Sequence, residues 1–322
     1  MNASRRVAAL CAAALGSLLV AGCAKDSGKH DRIVLGFSQI GAESEWRTAN
    51  TESIKSAAAT MNIDLRFADA QQKQENQIKA LRSFIAQKVD VIAFSPVVET
   101  GWDTVLQEAR AAKIPVILTD RSVTADPSLY AGFIGSDFVE EGRKAGRWVA
   151  ERFKDATEDV NIVELQGTVG AGPAIDRKKG FEEIIATNPH LKIIRSQSGD
   201  FTRSRGKEVM EAFLKAETRK IHVLYAHNDD MAIGAIQAIE EAGIRPGREI
   251  LVVSIDAVKG AFEAMIAGKL NATIECNPLL GPQLMTSATE VVAGRTIPKR
   301  IVVDEQVFTM ETAKQHIQQR KY

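Results

Sequence analysis

Short apolar runs alternate with helix-length segments along most of the chain, and this alternation restricts the fold more than any other feature. The runs 33–37 (IVLGF), 63–68, 91–94 (VIAF) and 115–118 (PVIL) read as strands. Helical spacing lies between them, over 46–61, around Ile78, Leu81 and Ile85, and over 102–112. The strands are apolar at consecutive positions, whereas a sheet with one wet face would alternate. Apolar strands separated by helices predict a parallel sheet covered on both faces.

The pattern then begins again. Strands are expected at 133–135, 162–165, 193–194, 223–225 and 251–253, with helices over 139–153, around 181–185, over 207–215 and over 231–241. Gly243 stands where a left-handed residue ends a helix, and Ile233, Ile236 and Ile239 mark that helix's buried face. Two such series predict an α/β protein of two similar doubly wound parallel-sheet lobes joined by a multi-strand hinge. Crossings between lobes are expected at 126–130 (DPSLY), at Asn277-Pro278 and within 297–303. The N-terminal lobe would then hold 31–130 plus 277–299, and the C-terminal lobe 131–276 plus 300–322.

Ahead of the first strand, Arg5-Arg6 precede an apolar run over 7–20 and then Ala21-Gly22-Cys23. A basic segment, a short apolar segment and small residues at a cut site predict a signal peptide over 1–22, too short to span a bilayer. The ending Leu19-Val20-Ala21-Gly22-Cys23 resembles the lipobox of bacterial lipoproteins, which implies cleavage before Cys23 and lipidation of that residue. Residues 23–30 would form a polar, lipidated tether, holding the body in the periplasm or on the outer face of the cell envelope. Cys276 is then the one free thiol, so no internal disulfide is expected. With 41 basic and 41 acidic residues, the chain carries no electrostatic footprint for nucleic acid.

Open parallel sheets bind ligands beyond the carboxyl ends of their strands. The residues there are Glu43, Ser44, Trp46 and Arg47 after the first strand, then Asp120 and Arg121 after the fourth. In the second series they are Arg177, Asn228 and Asp256. The set is rich in carboxylate, guanidinium and amide groups and has almost no nucleophile. Planar bidentate groups suit the paired hydroxyls of a monosaccharide, and Trp46 could pack on the apolar face of its ring. Trp102 and Trp148 lie within helical patterns and read as core. Asp229 and Asp230 read as capping carboxylates for the helix after them. His227 beside them is too little for a metal site, and no cofactor or metal is expected. Gly170-Ala171-Gly172-Pro173-Ala174-Ile175 lacks the third glycine of a dinucleotide loop, and there is no Gly-x-Ser-x-Gly elbow or Walker loop. An enzyme is therefore not expected.

At these residues the chain resembles the ribose-binding-like class of periplasmic binding proteins, which serve ABC importers. The likeness rests on 36–39 (GFSQ) with Glu43-Ser44 and Trp46-Arg47, 69–77 (DAQQKQENQ), 163–169 (VELQGTV), 174–181 (AIDRKKGF), 196–203 (SQSGDFTR) and 225–231 (YAHNDDM). It implies a type I binding-protein fold and a monosaccharide ligand, galactofuranose or a related furanose or pentose. An ABC permease as partner, hinge closure and a monomeric state are implied too. Trp46 takes the stacking position, Asp120-Arg121 match an Asp-Arg pair, and Arg177, Asn228 and Asp256 match the second lobe's polar set. Many relatives have glycine where this chain has Ala257, and Cys276-Asn277-Pro278 differs at the hinge. A secreted sugar receptor for a chemotaxis or sensor-kinase partner is the alternative role.

Overall fold

Val91-Ile92-Ala93-Phe94 shows how consecutive apolar residues build a two-faced sheet. Val91 and Ala93 point to one side, with Ile54, Leu284 and Met285. Ile92 and Phe94 point to the other, with Leu81, Phe84, Trp102 and Leu106. All four strand residues are fully buried, and burying a side chain of the larger kind stabilises the fold by roughly 1.5–3 kcal/mol. The structure, a computed structural model, describes residues 32–322. The expected signal peptide, Cys23 and the tether lie outside the described residues.

The first series is β1 (Val34–Gln39), α1 (Glu45–Thr60), β2 (Asp64–Asp69), α2 (Gln74–Ala86), β3 (Val91–Phe94), α3 (Asp103–Ala111), β4 (Val116–Thr119) and β5 (Gly132–Gly135). The second is α4 (Phe138–Arg152), β6 (Val160–Gln166), α5 (Gly172–Ile185), β7 (Leu191–Ser198), α6 (Arg203–Ala216), β8 (Val223–Ala226), α7 (Asp229–Glu241), β9 (Leu251–Asp256), α8 (Lys259–Ile266) and β10 (Ala272–Glu275). The chain then adds α9 (Gly281–Val292), β11 (Arg300–Val302), β12 (Val307–Thr309) and a short α10 (Ala313–His316). One sheet has the order β11-β5-β4-β3-β1-β2 and the other β12-β10-β9-β8-β6-β7. Every pairing is parallel except β10 with β12. The two-lobed, doubly wound α/β architecture is present as expected.

The lobe boundaries differ from the sequence reading. β5 pairs with β4, and β11 pairs with β5, so both strands belong to the first sheet. The chain therefore crosses at 136–137, 276–280 and 303–306, and not at 126–130 or before 300. The stretch 126–130 looks like a linker because it is a capped turn: Asp126 Oδ1 accepts Ser128 N–H at 2.8 Å and Pro127–Leu129 form one 3-10 turn. That turn merely leads β4 to its neighbour. Arg300-Ile301-Val302 is too short for its period to report which sheet it joins. Trp102 is fully buried, but Trp148, expected in the core, is only half-buried.

Candidate functional site

Two helix N-termini face each other across the cleft between the lobes, and pocket residues cap both. Ser44 Oγ accepts Arg47 N–H at 3.1 Å and starts α1. Asn228 Oδ1 accepts Met231 N–H at 3.0 Å and starts α7. The sequence reading gives the second cap to Asp229 and Asp230. Asn228 takes it because its extended backbone lets its side chain reach forward, whereas both aspartates already lie in the first turn. Asp229 instead binds Ser254 Oγ, Thr273 Oγ1 (2.8 Å) and Val258 N (2.9 Å), and burial still raises its pKa to about 7. Asp230 reaches the other lobe, where its Oδ2 accepts Glu45 N–H at 2.7 Å.

The structure brings all nine expected ligand residues to one cavity, lined by Glu43, Ser44, Trp46, Arg47, Asp120, Arg121, Arg177, Asn228 and Asp256. Pro173, Phe201 and Cys276 also line it, and the sequence reading did not assign them to the site. Phe201 lies in 196–203, at the carboxyl end of β7, so strand-end position was the available signal for it. The cleft is closed, with Arg47, Asp120, Arg121, Arg177, Asn228 and Asp256 all at most 4% exposed.

In the N-terminal lobe Arg47 donates through Nε to Glu43 (3.0 Å), through Nη1 to Gln39 (3.3 Å) and through Nη2 to Asp120 (2.8 Å). Burial opposes its charge, yet Asp120 and Glu43 outweigh burial and hold its pKa above the usual arginine value. Arg121 donates to Val97 O at 3.1 Å, and its guanidinium lies 5.2 Å from the Phe201 ring of the opposite lobe. Burial, with Arg47 adding, pushes its pKa down to about 10, so it stays charged at neutral pH.

In the C-terminal lobe Arg177 donates through Nε to Glu141 (2.7 Å), through Nη1 to His227 O (2.5 Å) and through Nη2 toward Asp256 (3.5 Å). Its place depends on two glycines where α4 and α5 cross. A Cβ on Gly142 would lie 2.2 Å from Arg177 O, and one on Gly180 would lie 2.0 Å from Val139 O. His227 is no free ligand, because its ring pairs with Glu164 Oε1 at 3.1 Å and accepts Gly167 N–H at 3.4 Å. Trp46 sends its indole N–H to Cys276 O at 2.6 Å, lies under the Arg47 guanidinium (4.6 Å to the ring centroid) and lines the cavity.

Strained backbone gathers here. Asp120, Phe201, Asp256 and Ala257 have φ of 61°, 60°, 128° and 58°. Left-handed φ costs an ordinary residue roughly 1–2 kcal/mol and clusters at ligand sites, which explains why glycine suits position 257. Two pocket residues also keep buried polar atoms that make no hydrogen bond within the protein, the acceptor Glu43 Oε2 and the donor Arg121 Nε, the latter 3.6 Å from Asp120 Oδ2. Such orphans are rare in folded proteins.

The periplasmic binding protein domain family matches residues 35–296. The galactofuranose-binding protein YtfQ of Escherichia coli is 50% identical over 293 residues, 90% of this chain and 92% of YtfQ. A Mycobacterium smegmatis protein solved in complex with β-D-fucofuranose is 58% identical with a TM-score of 0.88, over 90% of this chain and 95% of that one. The arabinose ABC transporter's periplasmic binding protein from Shewanella sp. ANA-3, bound to α- and β-L-arabinofuranose, is 52% identical with a TM-score of 0.86, over 89% and 95%.

Proposed function

The chain belongs to the periplasmic binding protein family, and from that premise we propose that it captures a monosaccharide in furanose form between its lobes and delivers it to an ABC import permease. The observation that carries this reading is the buried pair Glu43 Oε2 and Arg121 Nε, neither hydrogen-bonded within the protein, on two residues that line a closed polar cavity. A buried acceptor and a buried donor, each lacking a hydrogen bond, are matched by the hydroxyls of a small polyol. Arg47 and Arg177 each have N–H groups left over after their ion pairs, and Asn228 keeps one N–H, so both lobes can contribute donors. The family is one of binding proteins and not of enzymes. Galactofuranose and related furanoses are the favoured ligands, since three similar proteins are named for, or bound to, furanose sugars.

A melting panel of D-galactose, D-fucose, L-arabinose, D-ribose and D-glucose tests the ligand. A sugar at 100 times its Kd stabilises the folded chain by about 2.7 kcal/mol. For a chain of this size that is a rise of roughly 4 °C. The first three sugars are expected to raise the melt and D-glucose to leave it unchanged. A panel with no shift would reject the sugar reading.

We propose further that the protein is a monomeric lipoprotein anchored through Cys23 on the outer face of a membrane. The basis is the sequence 19–23 (LVAGC). Cys23→Ser is expected to move the protein from the membrane to the soluble fraction. Retention of that variant in the membrane would sink the anchor.

A further inference from the structure

Beside Glu141, which holds Arg177, the three interlobe crossings meet at one carboxyl group. Glu305, in the third crossing, accepts Ser136 Oγ–H from the first at 2.5 Å and Asn277 N–H from the second at 3.2 Å, both on Oε1. Glu141 on α4 lies beside it, and oxygens of Glu141 and Glu305 and the Cys276 sulfur are all within 4.8 Å of one another. Glu141 is wholly buried and Glu305 is 8% exposed. Glu141 Oε2 takes the Arg177 Nε–H, while its Oε1 is buried with no donor assigned to it. Two carboxylates this close, out of water, cannot both ionise cheaply, and a proton on Glu305 supplies the donor that Glu141 Oε1 lacks.

We propose that Glu141 and Glu305 share one proton across the hinge, and that this pair positions Arg177, so that lobe closure takes up a proton. The positioning role rests on the ligand reading of Arg177 given above. The surrounding charges fit one shared proton. Arg177 is the cation on Glu141, and Asp256 and Cys276 add negative potential only if they ionise. Lys144 spends its ammonium on the Glu305 backbone carbonyl at 2.7 Å. Farther along, Glu275 is bound by Arg320 at 2.8 Å. Burial first and Glu141 second push the Glu305 carboxyl up to about 9. Opening rotates the three crossings against one another and loosens the contacts of Ser136 and Asn277 with Glu305, so the open form keeps part of the burial and holds the proton less tightly than the closed form.

The sign follows from linkage. Glu305 binds its proton more tightly in the folded, closed state than its ordinary value of 4.5. The stability it contributes is full below that value, falls as pH rises through the window up to about 9, and is gone above it. The test compares the wild type with Glu305→Gln, which keeps a donor and cannot ionise. Without sugar, the wild-type melt should fall relative to the variant across that window and keep a constant offset above it. With L-arabinose as probe, wild-type affinity should weaken with pH more steeply than the variant's, by at most a further tenfold per unit. In the wild type alone, binding heats at pH 8 in buffers of different ionisation heat should report proton uptake. Glu141→Gln should bind weakly at every pH, since Arg177 loses its partner. Parallel melts, or parallel affinity profiles with no proton uptake, would overturn the proposal. If L-arabinose binds none of them at any pH, the ligand reading falls with the positioning role, while the melts still decide the proton.

Discussion

Arg177→Ala is expected to lose about 3–5 kcal/mol of folding stability together with its ligand affinity, because it strips a wholly buried carboxylate of its partner. Arg177 is 3% exposed, and three of its N–H groups go to Glu141, the His227 carbonyl and Asp256. Removing it leaves Glu141 and Asp256 facing each other's charge. Both carboxyls already sit above the usual carboxylate range, chiefly through burial, and Arg177 is the main charge opposing that rise. Part of the loss is recovered if one of them takes a proton, so the deficit should shrink as pH falls. Urea titration measures the stability and calorimetry the affinity. A wild-type urea midpoint would show that the three contacts are energetically idle. Arg177→Lys should fall between the two, because a single ammonium keeps the charge and cannot reach three acceptors in one plane.

Asp120→Ala should be nearly as costly, for a different reason. Asp120 Oδ2 lies 2.8 Å from Arg47 Nη2 and 3.6 Å from Arg121 Nε, so one carboxylate separates two buried guanidiniums. Without it Arg47 keeps Glu43, but Arg121 loses its nearest counter-charge while still facing Arg47. Alanine must also hold the φ of 61° that aspartate and asparagine tolerate better. A loss of about 3–5 kcal/mol of stability is expected. Sugar affinity should fall by about 2–4 kcal/mol, as buried hydroxyls and guanidinium groups are stranded together. Asp120→Asn keeps the backbone and a hydrogen-bonding oxygen, so it should retain more stability than alanine while still losing affinity. If asparagine and alanine behave alike in urea, backbone conformation is not part of the cost.

Most of the cavity lining was legible at the ends of apolar runs, since a parallel sheet carries its polar loops beyond the strand carboxyl ends. Phe201 escaped because it follows β7, an edge strand that is largely exposed and weakly apolar. Cys276 was noticed only as a free thiol and a hinge residue, although its carbonyl holds the Trp46 indole and it borders the cavity. The cap on α7 was misassigned by one residue. Carboxylate near a helix start is readable from sequence, but which residue stays extended is decided by the chain's arrival from β8.

The sequence by itself determined the strands, the helices and the two-lobed class, because side-chain period is a property of ten or so neighbouring residues. It also singled out the polar groups that end up in the cleft. Tertiary structure alone decided where the lobes divide, since β5 and β11 joined the first sheet through pairing with strands distant in sequence. It alone brought Ser136 to Glu305 across 169 residues and set Glu141 against Arg177. Such meetings depend on topology and burial, and a desolvated carboxyl pair has no signature in local spacing.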